Sequence, residues 1–181
     1  MGTTTAELKA QHRDIRDGYP EALRMRIHRA LRWLTRAEVE MSDDDARFVF
    51  QWIALNAAYS REFDFSRDGS ERDRVRSFCE TLVALDAKKR LHHALFQQFS
   101  GPICDLIENK FTFEPFWRAV RTHDSSNQWE TRFASNKRAA LATMKQNDTV
   151  TVLSIVFDRL YVLRNQLVHG GSTWNSDTNR V

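Results

Sequence analysis

The stretch VTVLSIVFDRLYVLRNQLVHGGSTW, Val150–Trp174, decides how the rest of the chain is read. It is a long apolar segment with a few charged and polar insertions, and it stops at Gly170-Gly171. Val156, Leu160, Leu163 and Leu167 recur at the spacing of one helix face. Phe157, Val168 and the stem of Arg164 make a second stripe beside it. So wide an apolar circumference predicts burial on two sides. One side is the chain's own core, and the other suits the twin helix of a second subunit in a two-fold dimer. Gly170-Gly171 predicts where the helix ends, since glycine readily takes the left-handed conformation of a C-terminal cap.

Outward from this helix, the chain reads as an all-α bundle of about six or seven helices. Alternating strand patterns, internal repeats and low-complexity tracts are absent from the sequence. Three prolines and six glycines are few for a fold built on tight turns. Residues 1–18 are polar and predict a flexible, loosely attached segment, and 19–181 reads as a single domain. A helix opens near Pro20 with Met25, Leu31 and Leu34 inward and Arg29, Arg32 and Arg36 on the opposite side. That arginine face is either a nucleic-acid contact or a solvated surface. Ser42 reads as the cap of the next helix, with Asp45 completing a capping box. Asp43-Asp44-Asp45 fits the helix dipole better than a metal site. The helix ARFVFQWIALNAAYS is apolar on most sides and therefore central. Asn56 in its middle either fixes a core contact or faces a functional pocket.

The charged run Glu62 to Ser70 reads as a loop, followed by a helix with Val75, Phe78, Leu82 and Leu85 in phase. His92 and His93 point about 100° apart on a helix, so they read as surface residues rather than joint ligands. Ser100-Gly101-Pro102 predicts a break. Trp129, Phe133 and Leu141 mark the core side of the last helix before Asn147-Asp148.

Composition bounds the function. At 181 residues and 11% aromatic, folding is expected over disorder. A net charge of +3 and a pI near 9.1 admit a polyanionic partner without requiring one. Cys79 and Cys104 lack metal-ligand spacing. Together with the absence of an apolar leader, they predict buried thiols in a reducing cytoplasm. No stretch is long and uncharged enough to span a bilayer, so no membrane association is expected.

The candidate chemistry lies in Arg164, Asn165 and His169. Asn165 and His169 are one turn apart on a shared face, with Asp158 nearly on that face about three turns earlier. Arg164 and His169 are separated by about 140° on an ideal helix. They converge on one ligand only if the helix ends at the histidine. Histidine exchanges protons near neutrality, and the arginine fork binds two phosphate oxygens at once. These residue types suit metal-free cleavage of RNA. A base takes the ribose 2′-hydroxyl proton, an acid protonates the departing 5′-oxygen, and a cation stabilises the phosphorane. One chain offers one such histidine, so a dimer would present two. The same spacing also arises without catalysis, because a histidine is a favourable dipole partner at a helix C-terminus.

The run LRNQLVHGGSTWNS, Leu163 to Ser176, at the end of a long final helix, resembles a prokaryotic HEPN domain. The signature of that family is an arginine, commonly followed by Asn, Asp or His, with a histidine about four to six residues after the arginine. Arg164, Asn165 and His169 match it residue by residue. The helix bearing Trp52, Asn56 and Tyr59 is also similar to the second helix of one bacterial subgroup. The resemblance implies a dimeric, metal-independent endoribonuclease with no cofactor. It further implies RNA as substrate, an antitoxin or defence-system protein as partner, and a role in toxin–antitoxin, antiviral-defence or stress-response systems. In one branch a tyrosine two residues past the histidine is nucleotidylated by the antitoxin. Gly171 stands at that position here, which puts this mode of control in doubt. The subgroup tends to continue beyond the motif, so the status of Val181 as native C-terminus stays open. Asn56, Asp158, Arg29, Arg32 and Arg36 are further candidate substrate contacts. Two non-catalytic readings stand beside this one: a module that binds RNA, nucleotide or protein through the same groove, and a purely structural dimerisation bundle.

Overall fold

A computed structural model describes residues 3–59 and 71–175. The loop expected from Glu62 to Ser70 and the tail residues 176–181 lie outside the described residues. The fold is all-α, with nine α-helices and no strand among the described residues. Where length predicts one domain over 19–181, contacts group the chain into two compact units, one of Met1–Asp68 with Thr173–Asn175, the other of Gly69–Ser172.

The first unit contains α1 (Thr5–Ile15), α2 (Glu21–Val39) and α3 (Asp44–Tyr59). The segment expected to be loose is in fact a capped helix packed on α2. Glu7 N–H donates to the Thr4 hydroxyl, and Thr4 N–H donates to the Glu7 carboxylate at 2.7 Å. Both groups are donors or acceptors that the start of a helix otherwise leaves unmet, which is how a polar sequence still fixes its end. Glu38 then accepts from the Thr5 amide and hydroxyl, tying α1 to α2. On α2 the buried residues are Ala30, Leu31 and Ala37, whereas Met25 is exposed. Trp33 stacks on Phe50 of α3 at 5.7 Å, and the Arg36 guanidinium lies 4.7 Å from the centre of the same ring. The cap of α3 is Asp43 rather than Ser42: its carboxylate accepts from the Ala46 amide at 2.9 Å. A carboxylate at this position also answers the dipole, which a serine does not. Asp43 and Asp45 additionally accept from the Trp174 indole and the Asn175 amide, which is what joins Thr173–Asn175 to this unit.

The second unit contains α4 (Glu71–Leu85), α5 (Arg90–His93), α6 (Ser100–Glu108), α7 (Glu114–Thr122), α8 (Gln128–Gln146) and α9 (Thr149–Val168). A widened turn over Ala94–Gln98 continues α5, and a tight turn, Lys110–Thr112, precedes α7. Helix α9 runs through the middle, touching α4, α6, α8 and both turns. Its inward residues, Val152, Leu153 and Val162, meet a core that includes Val75, Cys79, Ile103, Ile107 and Ala140. Ser100-Gly101-Pro102 forms the first turn of α6 instead of a break, because a proline there gives up no helical hydrogen bond. Asn147, at φ 56°, ends α8, and Asp148 caps α9 by accepting from the Thr151 amide at 3.1 Å. Cys79 is fully buried, which pushes its thiol up to about 11, whereas Cys104 is only half-buried. His93 is exposed, but His92 is half-buried, against Phe96 and within 3.2 Å of the Thr149 hydroxyl. No helix of the described residues is long and apolar enough to cross a membrane.

Candidate functional site

The end of α9 is set by backbone chemistry. Its last helical residue is Val168, His169 sits in the cap position, and Gly170 turns left-handed at φ 69°. The Gly171 and Ser172 amides then both donate to the Gln166 carbonyl, at 2.7 and 3.2 Å. This satisfies a carbonyl that would otherwise end the helix unpaired. The predicted stop at Gly170-Gly171 is therefore where the helix ends.

Side chains hold the same turn from below. Buried Gln166 donates through Nε2 to the Phe111 carbonyl at 2.6 Å, and Trp117 Nε1 donates to that carbonyl at 2.7 Å. Seven residues earlier, on the same face, Arg159 is 3% exposed. Its guanidinium lies 4.8 Å from the Phe113 ring centre and 5.7 Å from that of Phe133, and its Nη2 donates to Asn136 Oδ1 at 2.9 Å. Burial pulls its pKa down to about 10, with the Asp158 carboxylate acting in the opposite sense, so the group stays charged at neutrality. The inward face of α9 is thus partly polar, whereas Val156, Leu160, Leu163 and Leu167 are only half-buried.

On this scaffold, Arg164 and Asn165 are half-buried and His169 is exposed. Arg164 Nη1 donates to Asn165 Oδ1 at 2.8 Å. Arg164 makes no ion pair among the described residues, and the His169 imidazole makes no hydrogen bond there. The His169 backbone amide donates to the Asn165 carbonyl at 3.0 Å, so the histidine is placed by the residue that also holds the arginine. The result, among the described residues, is a guanidinium with no carboxylate partner and an imidazole with no hydrogen bond at the end of one helix. Chemically, such a pair can bind an anion and exchange a proton with it.

Asp158 is exposed on nearly the same face as His169, but eleven residues before it, about 16 Å along the axis. Asn56 and the α2 arginines belong to the first unit. The Asn56 carbonyl oxygen accepts from the Tyr59 hydroxyl at 2.8 Å, a contact within its own helix. Arg29 is half-buried, Arg32 is exposed, and Arg36 pairs with Glu40. Among the described residues no group of three or more His, Cys, Asp or Glu side chains is placed to hold a metal ion.

Sequence reading passed over Arg159 and Gln166. Both lie inside an apolar run whose helical period points to the leucine stripe instead, and only the aromatic and carbonyl partners explain a buried polar residue there. Compared with protein-family models, with curated proteins and with solved structures, the chain matches none of them.

Proposed function

We propose that the chain is a HEPN-type, metal-independent endoribonuclease that works as a two-fold dimer through α9 in a toxin–antitoxin or phage-defence system. The observation that carries this reading is the end of α9, where Arg164 lacks a carboxylate partner among the described residues beside an exposed His169. His169 takes the proton from a ribose 2′-hydroxyl. The resulting oxygen attacks phosphorus, the bond to the 5′-oxygen breaks, and the His169 of the second subunit protonates that leaving oxygen. Arg164 stabilises the extra negative charge on the phosphorane. The products are a 2′,3′-cyclic phosphate and a 5′-hydroxyl, and DNA, lacking the nucleophile, resists. The half-buried stripe Val156, Leu160, Leu163 and Leu167 supports the twin-helix interface.

Purified protein incubated with RNA in EDTA tests the reading. Wild type is expected to cleave, and His169→Ala and Arg164→Ala to lose at least about 100-fold in rate. Absent cleavage, or undiminished cleavage by both variants, overturns it. One observation favours a non-catalytic module that binds RNA or nucleotide: Arg164 contacts Asn165 and not the imidazole, so no side-chain bond links fork and base. In that case RNA binding persists without turnover and Arg164→Ala weakens it most at low salt.

A further inference from the structure

Val39, Met41 and Trp174 are the most exposed large apolar residues described in the first unit, at 69, 79 and 70% of full exposure. All three gather at the turn between α2 and α3. Val39 ends α2, and Met41 N–H donates to the Val39 carbonyl at 3.0 Å. Two residues on, the Asp43 carboxylate accepts from the Trp174 indole at 3.0 Å, and Asp45 accepts from Asn175 N–H at 2.8 Å. The indole is thus held by its one polar atom while most of the residue stays in water. A ring fixed in this way has already given up much of the rotamer freedom that binding would otherwise remove. Together the three residues leave on the order of 400 Å² in water, the size of patch that marks interaction sites on soluble proteins.

The charge around this turn says what suits it. Residues 36–47 hold Glu38, Glu40, Asp43, Asp44 and Asp45 against Arg36 and Arg47, a local excess of three negative charges in a chain whose total is +3. Arg36 pairs with Glu40 and Arg47 with Asp44, so both cations of the stretch are engaged within it. Glu38, Asp43 and Asp45 accept from neutral donors, the Thr5 amide and hydroxyl, the Trp174 indole and the Asn175 amide, and those bonds leave the negative charge in place. An acidic rim around an apolar centre repels a phosphate chain or an anionic bilayer and attracts a cationic partner.

We propose that the α2–α3 turn, with Trp174 fastened to it, docks a partner protein through a short segment in which apolar side chains are interspersed with lysines or arginines. Trp174 and Met41 supply the apolar contact, the ring as a rigid anchor and the methionine as an unbranched chain that adapts to the side chain it meets. The surrounding carboxylates meet the partner's cations at the rim, where charge sets orientation and association rate more than affinity. Every residue of this surface belongs to the first unit, Trp174 included. The proposal does not depend on Arg164 or His169, and the ribonuclease reading does not depend on it.

The test is selection of a phage library of random peptides on the immobilised full chain, with counter-selection on Val39→Ser/Met41→Ser. The recovered peptides are expected to combine Leu, Ile, Phe or Trp with Lys or Arg and to lack Asp and Glu. A labelled synthetic copy of the most frequent one should bind saturably and more weakly as salt is raised. Its affinity should fall about tenfold or more for the double variant and for Trp174→Ala, with helix content retained. Leu85→Ser, which alters an equally exposed apolar residue of the second unit, should leave it unchanged. Acidic or neutral peptides, no enriched sequence, or equal binding by the variants overturns the proposal. Self-association in sedimentation velocity that the double variant abolishes assigns the patch to a second copy of the chain and overturns it as well. So does binding to phosphatidylcholine–phosphatidylserine vesicles that the same variant loses, which assigns it to a membrane.

Discussion

His169 occupies the residue at which α9 stops being a helix, and this explains why an exposed imidazole can be fixed at its backbone while its ring makes no hydrogen bond among the described residues. Arg164→Lys separates charge from shape. A lysine keeps the cation but lacks the fork that Asn165 and two phosphate oxygens can share, so cleavage should fall nearly as far as with alanine. Steady-state rates on one RNA check this. Arg159 poses a different question, since it is charged and buried with no carboxylate partner among the described residues. Arg159→Met keeps the volume against Phe113 and Phe133 and removes a desolvated charge, so thermal stability should hold or rise. A melting temperature several degrees lower would show that the ring and Asn136 contacts outweigh desolvation. His12 titrates with a clear sign. Its folded pKa lies below the ordinary 6.5, so the unfolded chain binds more protons in that window. The stability it confers is complete above about pH 6.5 and is lost as pH falls through the folded value. Melting temperature should therefore drop more for wild type than for His12→Gln on going from about pH 7.5 to about pH 5.5. Asp124 and Asp148, both shifted below 3.8 by their Ser126 and Thr151 hydrogen bonds, titrate lower and leave that comparison clean.

At the scale of elements, the two ends of α9 are separable. Asp148→Ala removes the cap at the start and should cost about 1 kcal/mol of stability while sparing activity. Gly170→Ala strains the other end, where φ is 69°, at a cost of roughly 1–2 kcal/mol, and should also reduce cleavage because it disturbs His169. Denaturant melts with parallel RNA assays distinguish them. The stop at Gly170, the boundary at Asn147-Asp148 and the all-helical class were legible because each follows from local chemistry. The choice of Asp43 over Ser42 was not, since both residues are good caps and only the turn's path decides. Nor was the order in α1: its capping box is written in Thr4 and Glu7, but a helix with so few apolar residues reads as loose until Glu38 is seen to hold Thr5. The inward face of α9 was the largest surprise. Periodicity marked the leucine stripe as most buried, whereas Arg159 and Gln166 take that place because aromatic faces and a carbonyl elsewhere in the chain accept them.

For the whole molecule, a net charge of +3 spread over 27 basic and 24 acidic side chains makes local distribution matter more than the total. The proposed dimer rests on the half-buried leucines of α9, and Leu160→Glu/Leu163→Glu should yield a monomer without RNA cleavage. Sedimentation velocity would reveal a wild-type monomer just as readily, which would remove the shared-cleft mechanism. The carbonyl of Phe111 has a practical bearing on all these measurements, because one indole and the terminal turn of α9 are fastened to the same oxygen. Any ligand or twin chain that tugs on that turn changes the polarity around Trp117. The protein therefore carries its own fluorophore at the anchor of its candidate site, and the emission difference between wild type and Trp117→Phe offers a label-free gauge of what happens there.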